Sequence, residues 1–163
     1  MPTMRASARR LIQPGWILFL LALDRATKVW AVRFLEPVRE IPLFPFFHLT
    51  YVENTGAAWG MLQGRNAVLI VVSVALLGGL LYMRRKWPES NARLYYGTAL
   101  VAGGALGNLY DRIVYGYVVD FFDFIVWPVF NIADSCITVG ACLLAWGLHL
   151  EDKREAKEKA ESA

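Results

Sequence analysis

Asn66-Ala67-Val68-Leu69-Ile70-Val71-Val72-Ser73-Val74-Ala75-Leu76-Leu77-Gly78-Gly79-Leu80-Leu81-Tyr82-Met83 carries no charged residue from end to end. The hydrocarbon core of a bilayer takes about 20 mostly apolar residues as a helix, within a range of about 17–25. Three further stretches have similar length and apolarity: about 13–34, 94–113 and 130–150. The first contains Asp24, Arg25 and Lys28, the third is uncharged until Asp111, and the fourth carries only Asp134. These runs predict an all-α membrane protein: a bundle of four transmembrane helices in a single integral membrane domain, residues 1–163. The charged, Ala-rich tail, 151–163, reads as a solvated helix extension.

Composition agrees. The 163 residues are 56% hydrophobic, against roughly 45–50% in soluble domains, and mean hydropathy is +0.38. So short a chain could not hide that much apolar surface from water. Six Trp and seven Tyr suit the headgroup interface. The net charge of +3 is small, and the basic residues sit in short clusters between apolar runs. That placement argues for topology and against a nucleic-acid partner. Cys136 and Cys142, six apart on one helix, point in different directions and read as buried apolar thiols. His48 and His149 are isolated, which argues against zinc, and no cofactor is expected. Gly103, Gly104 and Gly107 lack the following Lys-Ser/Thr of a phosphate loop and read as a face for close helix packing.

The Lys/Arg distribution sets the orientation. Arg5, Arg9 and Arg10 precede the first span. Arg84, Arg85, Lys86 and Arg93 join the second to the third, and Lys153, Arg154, Lys157 and Lys159 follow the fourth. The longer loop between the first two spans holds only Arg39 and Arg65, and the segment 114–129 has no Lys or Arg. The positive-inside rule then places both termini and the middle loop in the cytoplasm and the other two loops outside. The first span has a basic start like a signal peptide, but no small-x-small site follows, so it reads as retained. The outward loop, about 35–65, contains Phe46-Phe47-His48-Leu49-Thr50-Tyr51-Val52, a strand pattern, and then the turn signal Asn54-Thr55-Gly56. A small sheet on the outer face is expected there.

Ionisable groups within spans cost about 2.5–3.5 kcal/mol each on insertion scales and are functional candidates by default. Asp111, Arg112, Asp120, Asn131 and Asp134 collect at the outer end of the third and fourth spans. Two carboxylates brought together share a proton, and such a pair can activate water with one member and protonate a leaving amine with the other. Plainer readings stand beside this. Asp111 with Arg112 reads as an ion pair ending the third span, Asp24 with Lys28 as a structural i,i+4 pair, and Asp123 as a solvated loop residue. Asn108 and Asn131 are equally readable as interhelical glue. A small ion-coupled transporter or a non-enzymatic assembly subunit would also place carboxylates in spans, although no inverted repeat is evident.

Five ordered blocks carry a resemblance. They are Leu23-Asp24-Arg25-Ala26-Thr27-Lys28; Glu53-Asn54-Thr55-Gly56-Ala57-Ala58-Trp59-Gly60; Gly103-Gly104-Ala105-Leu106-Gly107-Asn108-Leu109-Tyr110-Asp111-Arg112; Val118-Val119-Asp120-Phe121; and Phe130-Asn131-Ile132-Ala133-Asp134-Ser135. Together they resemble the bacterial lipoprotein signal peptidases, also called signal peptidase II. The resemblance implies a four-helix membrane bundle with a small β-cradle on its outer, periplasmic face. It implies a metal-independent aspartic endopeptidase of the inner membrane with Asp120 and Asp134 as the catalytic pair. Asp24, Asn54, Asn108, Arg112 and Asn131 would support the site or the substrate. The implied substrate is a prolipoprotein carrying a diacylglyceryl group on the cysteine after its signal peptide, cleaved just before that cysteine. Membrane lipids would be its other partners, and a monomer is expected. Arg25 stands where the family often has Gln, and Trp59 where it often has Phe.

Overall fold

Gly97, Gly103, Gly104, Gly107 and Gly140 explain how the helices pack. In the computed structural model, which describes residues 3–57, 59, 61–88 and 90–162 (side chains from residue 13 onward), α3 (Ala92–Val114) runs through the middle of the bundle. It lies against α1 (Thr3–Phe34), α2 (Asn66–Arg84) and α4 (Ile132–Glu161). A Cβ at Gly103 would lie 2.9 Å from Leu20 of α1, and one at Gly104 only 2.4 Å from the Ala133 carbonyl of α4. Gly97 and Gly140 approach one another so closely that a Cβ on either would lie 2.9 Å from the other's carbonyl oxygen. Small residues let helix backbones come this close, as expected of the glycine run.

Four helices stand where four apolar runs were read. Two of them, α2 and α4, are long and apolar enough by composition to cross a membrane. The other two, α1 and α3, carry the polar residues that meet in the interior: Asp24, Lys28, Asn108 and Asp111 are all buried. Outward-facing positions are apolar instead, with Val71 66% and Leu76 70% exposed on α2. That inversion is what a lipid-facing surface looks like and what a soluble monomer rarely shows.

A three-stranded antiparallel sheet caps one end of the bundle: β1 (Glu40–Phe44), β2 (Phe47–Asn54) and β3 (Val118–Asp123), in that order. The first two strands fall in the loop where a sheet was expected. The third is a correction, because 114–129 was read only as a return loop. Val118-Val119-Asp120-Phe121-Phe122 is β-branched and aromatic, the composition of a strand, and it pairs along β2 with Asp120 opposite Val52. Val119 and Phe121 pack with Tyr51 on Ala31 of α1 and on Leu35 just beyond its end. Successive side chains on a strand point to opposite faces, so Asp120, between these two anchors, is turned the other way.

Candidate active site

Asp134 is placed by the start of a helix. Asn131 is the N-cap of α4: its Oδ1 accepts from the Asp134 backbone N–H at 2.9 Å, and the Asn131 N–H donates back to Asp134 Oδ2 at 3.2 Å. This reciprocal box satisfies two otherwise unpaired donors and fixes both side chains. Because Asn131 Oδ1 is occupied by the helix, its Nδ2 faces away, and it donates to Asp120 Oδ1 at 2.7 Å. One asparagine thus touches both carboxylates, one through its side chain and the other through its backbone.

The other oxygens are held from further elements. Asn54, at the end of β2, donates to Asp120 Oδ2 at 2.8 Å. Its own Oδ1 accepts from the Gly56 N–H at 2.9 Å, so the Asn54-Thr55-Gly56 turn aims the amide. Asn108 of α3 donates to Asp134 Oδ1 at 2.7 Å. Arg112, one turn further along α3, donates to the Gly56 carbonyl at 3.1 Å. Its Nε–H is buried without an acceptor. Asp24 Oδ1 accepts from the Ala133 N–H at 3.2 Å, tying α1 to the start of α4. Gly107 makes room for that contact, since a Cβ there would lie 2.4 Å from Asp24 Oδ2.

All seven site residues read from the sequence (Asp24, Asn54, Asn108, Arg112, Asp120, Asn131 and Asp134) therefore converge on one place. Three plainer readings change. Asp111 does not pair with Arg112; it bonds Lys28 at 2.8 Å and Arg25, whose guanidinium also lies 4.9 Å from the Tyr110 ring. Asp123 is the last residue of β3, not a loop residue, and accepts from the Thr50 hydroxyl at 2.9 Å. Cys136 is half-buried and Cys142 exposed, so the buried-thiol reading fails for Cys142. The residues missed as part of the site are Lys28 and Asp111. The i,i+4 spacing disclosed the bond from Lys28 to Asp24, but nothing local ties Asp111 to a residue so distant in the chain. Ala58 and Gly60 of the second motif block lie outside the described residues, as do the side chains of Arg5, Arg9 and Arg10.

Asp120 is almost fully buried, at 1% exposure, while Asp134 is half-buried. Burial raises the Asp120 carboxyl to about 7, and the neighbouring Asp134 charge adds to this, against the bonds from Asn54 and Asn131. A group so placed keeps its proton well above the ordinary carboxylate range and can serve as an acid. Both carboxylates open on a cleft of about 550 Å³ whose wall includes Ala57, Arg112, Trp127, Phe130 and Val139. Trp127 of that wall meets Trp59 edge to face, 5.6 Å apart. A buried acid beside a second, more accessible carboxylate in a cleft suits metal-free hydrolysis by acid–base catalysis.

Residues 16–150 match the family model described as signal peptidase (SPase) II. The chain is 46% identical over 145 residues to the lipoprotein signal peptidase of Pelotomaculum thermopropionicum, covering 88% of this chain and 95% of that one. It is 48% identical over 132 residues to that of Caldanaerobacter subterraneus subsp. tengcongensis, covering 80% and 90%. It also superposes with a TM-score of 0.78 and 32% identity on a bacterial membrane enzyme solved by the in meso method at 2.3 Å. That match covers 86% of this chain and 88% of the other.

Proposed function

The chain belongs to the signal peptidase II family, and on that premise we propose that it cleaves diacylglyceryl-modified prolipoproteins just before the lipidated cysteine, with Asp120 and Asp134 as its catalytic pair. It is an aspartic protease of a bacterial membrane, and its activity is the removal of signal peptides from prolipoproteins. The observation that carries the dyad is Asn131, which bonds both carboxylates from the cap of one helix.

In this reading a water sits between the two carboxyl groups. Asp134, the more accessible carboxylate, takes a proton from the water as its oxygen bonds to the scissile carbonyl carbon. Asp120 gives its proton to the oxygen of that carbonyl. As the C–N bond breaks, the proton held by Asp134 passes to the leaving amine, and Asp120 recovers its proton as the new carboxyl forms. Arg112, at the cleft wall, brings its guanidinium there to meet a substrate carbonyl. Asp24, Asn54 and Asn108 hold the pair in place.

The four helices span the inner membrane with both termini in the cytoplasm, and the sheet lies on the periplasmic face. The site then meets its substrate where the lipidated cysteine enters the outer leaflet, and apolar helix faces hold the acyl chains. The enzyme works as a monomer and needs no metal. The test is cleavage by the purified protein in detergent with EDTA present, the new amino terminus being located by mass spectrometry. A lipid-modified prolipoprotein should be cut on the amino side of its modified cysteine and the unmodified precursor left intact. Equal cleavage of both, or a cut elsewhere, would contradict the substrate assignment.

A further inference from the structure

Lys28 is fully buried and lies outside the cleft wall. An ammonium carries three N–H donors and no lone pair. Three oxygens surround this one: Asp24 Oδ2 at 2.8 Å, Asp111 Oδ2 at 2.8 Å and Asn108 Oδ1 at 2.9 Å. The Asn108 oxygen accepts a hydrogen bond from the ammonium, and the two carboxylates pair with it as ions. Arg25 bonds the other oxygen of Asp111, so the cluster of Asp24, Arg25, Lys28 and Asp111 balances its charges inside the bundle, as buried ions must.

The consequence falls on Asn108. The shape of a carboxamide does not say which end is oxygen, but the chemistry of its neighbours does. Lysine can only donate, so the amide oxygen must face Lys28. Asn131 Nδ2, a donor, approaches the same oxygen at 3.1 Å. The Asn108 NH2 must then face the other way, and Asp134 Oδ1 lies there at 2.7 Å. A flipped amide would set N–H against N–H at Lys28 and oxygen against carboxylate at Asp134.

We propose that Lys28 is a positioning residue for the hydrolysis: it locks the Asn108 carboxamide so that its N–H holds Asp134 in the orientation that receives the water. Asp24 and Asp111 anchor the ammonium from α1 and α3, and Arg25 offsets the charge of Asp111. Arg112 of α3, Asp120 of β3 and the Asn131 backbone of α4 are the other polar groups facing Asp134. The role rests on the assignment of Asp120 and Asp134 as the catalytic pair. It predicts that Lys28 acts on turnover and not on substrate binding, since it does not line the cleft.

The double variant Lys28→Met/Asp111→Asn removes one charge of each sign and leaves Arg25 to balance Asp24. Steady-state cleavage of a diacylglyceryl-modified prolipoprotein in detergent is compared with Asp111→Asn alone. We expect kcat to fall about tenfold or more, the order seen when an outer partner that orients a reacting group is lost, with KM unchanged. An unchanged kcat, or a rise in KM alone, overturns the proposal. Lys28→Gln provides a second variant, because its amide can donate or accept and so lets Asn108 sit either way; it should lose kcat by the same route but less. If thermal melts show that neither variant folds, Lys28 is an element of stability and the positioning role is overturned. Asp134→Asn measured alongside separates the two levels. Full activity there removes the catalytic pair itself, whereas inactive Asp134→Asn beside fully active Lys28 variants removes only the positioning role.

Discussion

At the scale of single residues, Asp120 carries the sharpest consequence. Its carboxyl is raised to about 7 by burial and by Asp134. As the proton donor of the pair, it should lose its proton as pH rises through that value, so kcat should fall on an alkaline limb near pH 7; a rate that is flat from pH 6 to 9 would count against this assignment. The same shift has a stability sign. A carboxyl whose folded pKa lies above its unfolded value contributes stability that is full below the unfolded value and is lost as pH rises through the folded one. Asp120→Asn should therefore raise the Tm more at pH 8 than at pH 5 while it ends catalysis. The candidate carboxylates were legible in the sequence because charge in an apolar run is costly. Their partners were legible only in part. Asp111 beside Arg112 looks like a local pair, yet Arg112 turns to Gly56 and Asp111 to α1. Adjacent helical residues point about 100° apart, and the far partner decides.

At the scale of elements, the glycines of α3 decide where the pair can sit. A Cβ at Gly104 would meet the Ala133 carbonyl at 2.4 Å, beside the first turn of α4 that holds Asp134. Gly104→Ala should cost about 1–3 kcal/mol by overpacking and lower kcat by displacing Asp134. Gly78, in α2, has nothing within 4 Å of its Cβ position. Gly78→Ala should stabilise by about 0.5–1 kcal/mol, the helix-propensity gain alone, and leave kcat unchanged. Thermal melts of the two variants with cleavage rates check both; equal effects would remove the packing account. Four helices, the second strand and the presence of a sheet in the loop after α1 could be read from the runs of apolar and β-branched residues. The third strand could not be placed, because a short apolar segment between two helices becomes a strand only when another edge is there to pair with it. Val118–Asp123 finds that edge on β2.

At the scale of the whole molecule, the sheet fixes relative sides. Because β2 pairs with β3, the segment after α1 and the segment after α3 lie at the same end, as a chain crossing back and forth requires. Among the described residues, hydropathy alone marks α2 and α4, since α1 and α3 spend their polar residues on the interior. Topology can be tested with single cysteines in a variant lacking Cys136 and Cys142. Val126→Cys, in the exposed cleft-side loop, should react with an impermeant thiol reagent in intact cells. Lys86→Cys, between α2 and α3, should react only after the membrane is opened; the reverse pattern would invert the orientation. The central claim is that Asp120 and Asp134 together do the chemistry, and it is tested most directly by single-turnover cleavage of a lipid-modified prolipoprotein by the two Asn variants. Asp120→Asn and Asp134→Asn should each fold, bind the substrate and leave it uncut, a loss of at least about a thousandfold. Cleavage at the unsubstituted rate by either folded variant would contradict the account.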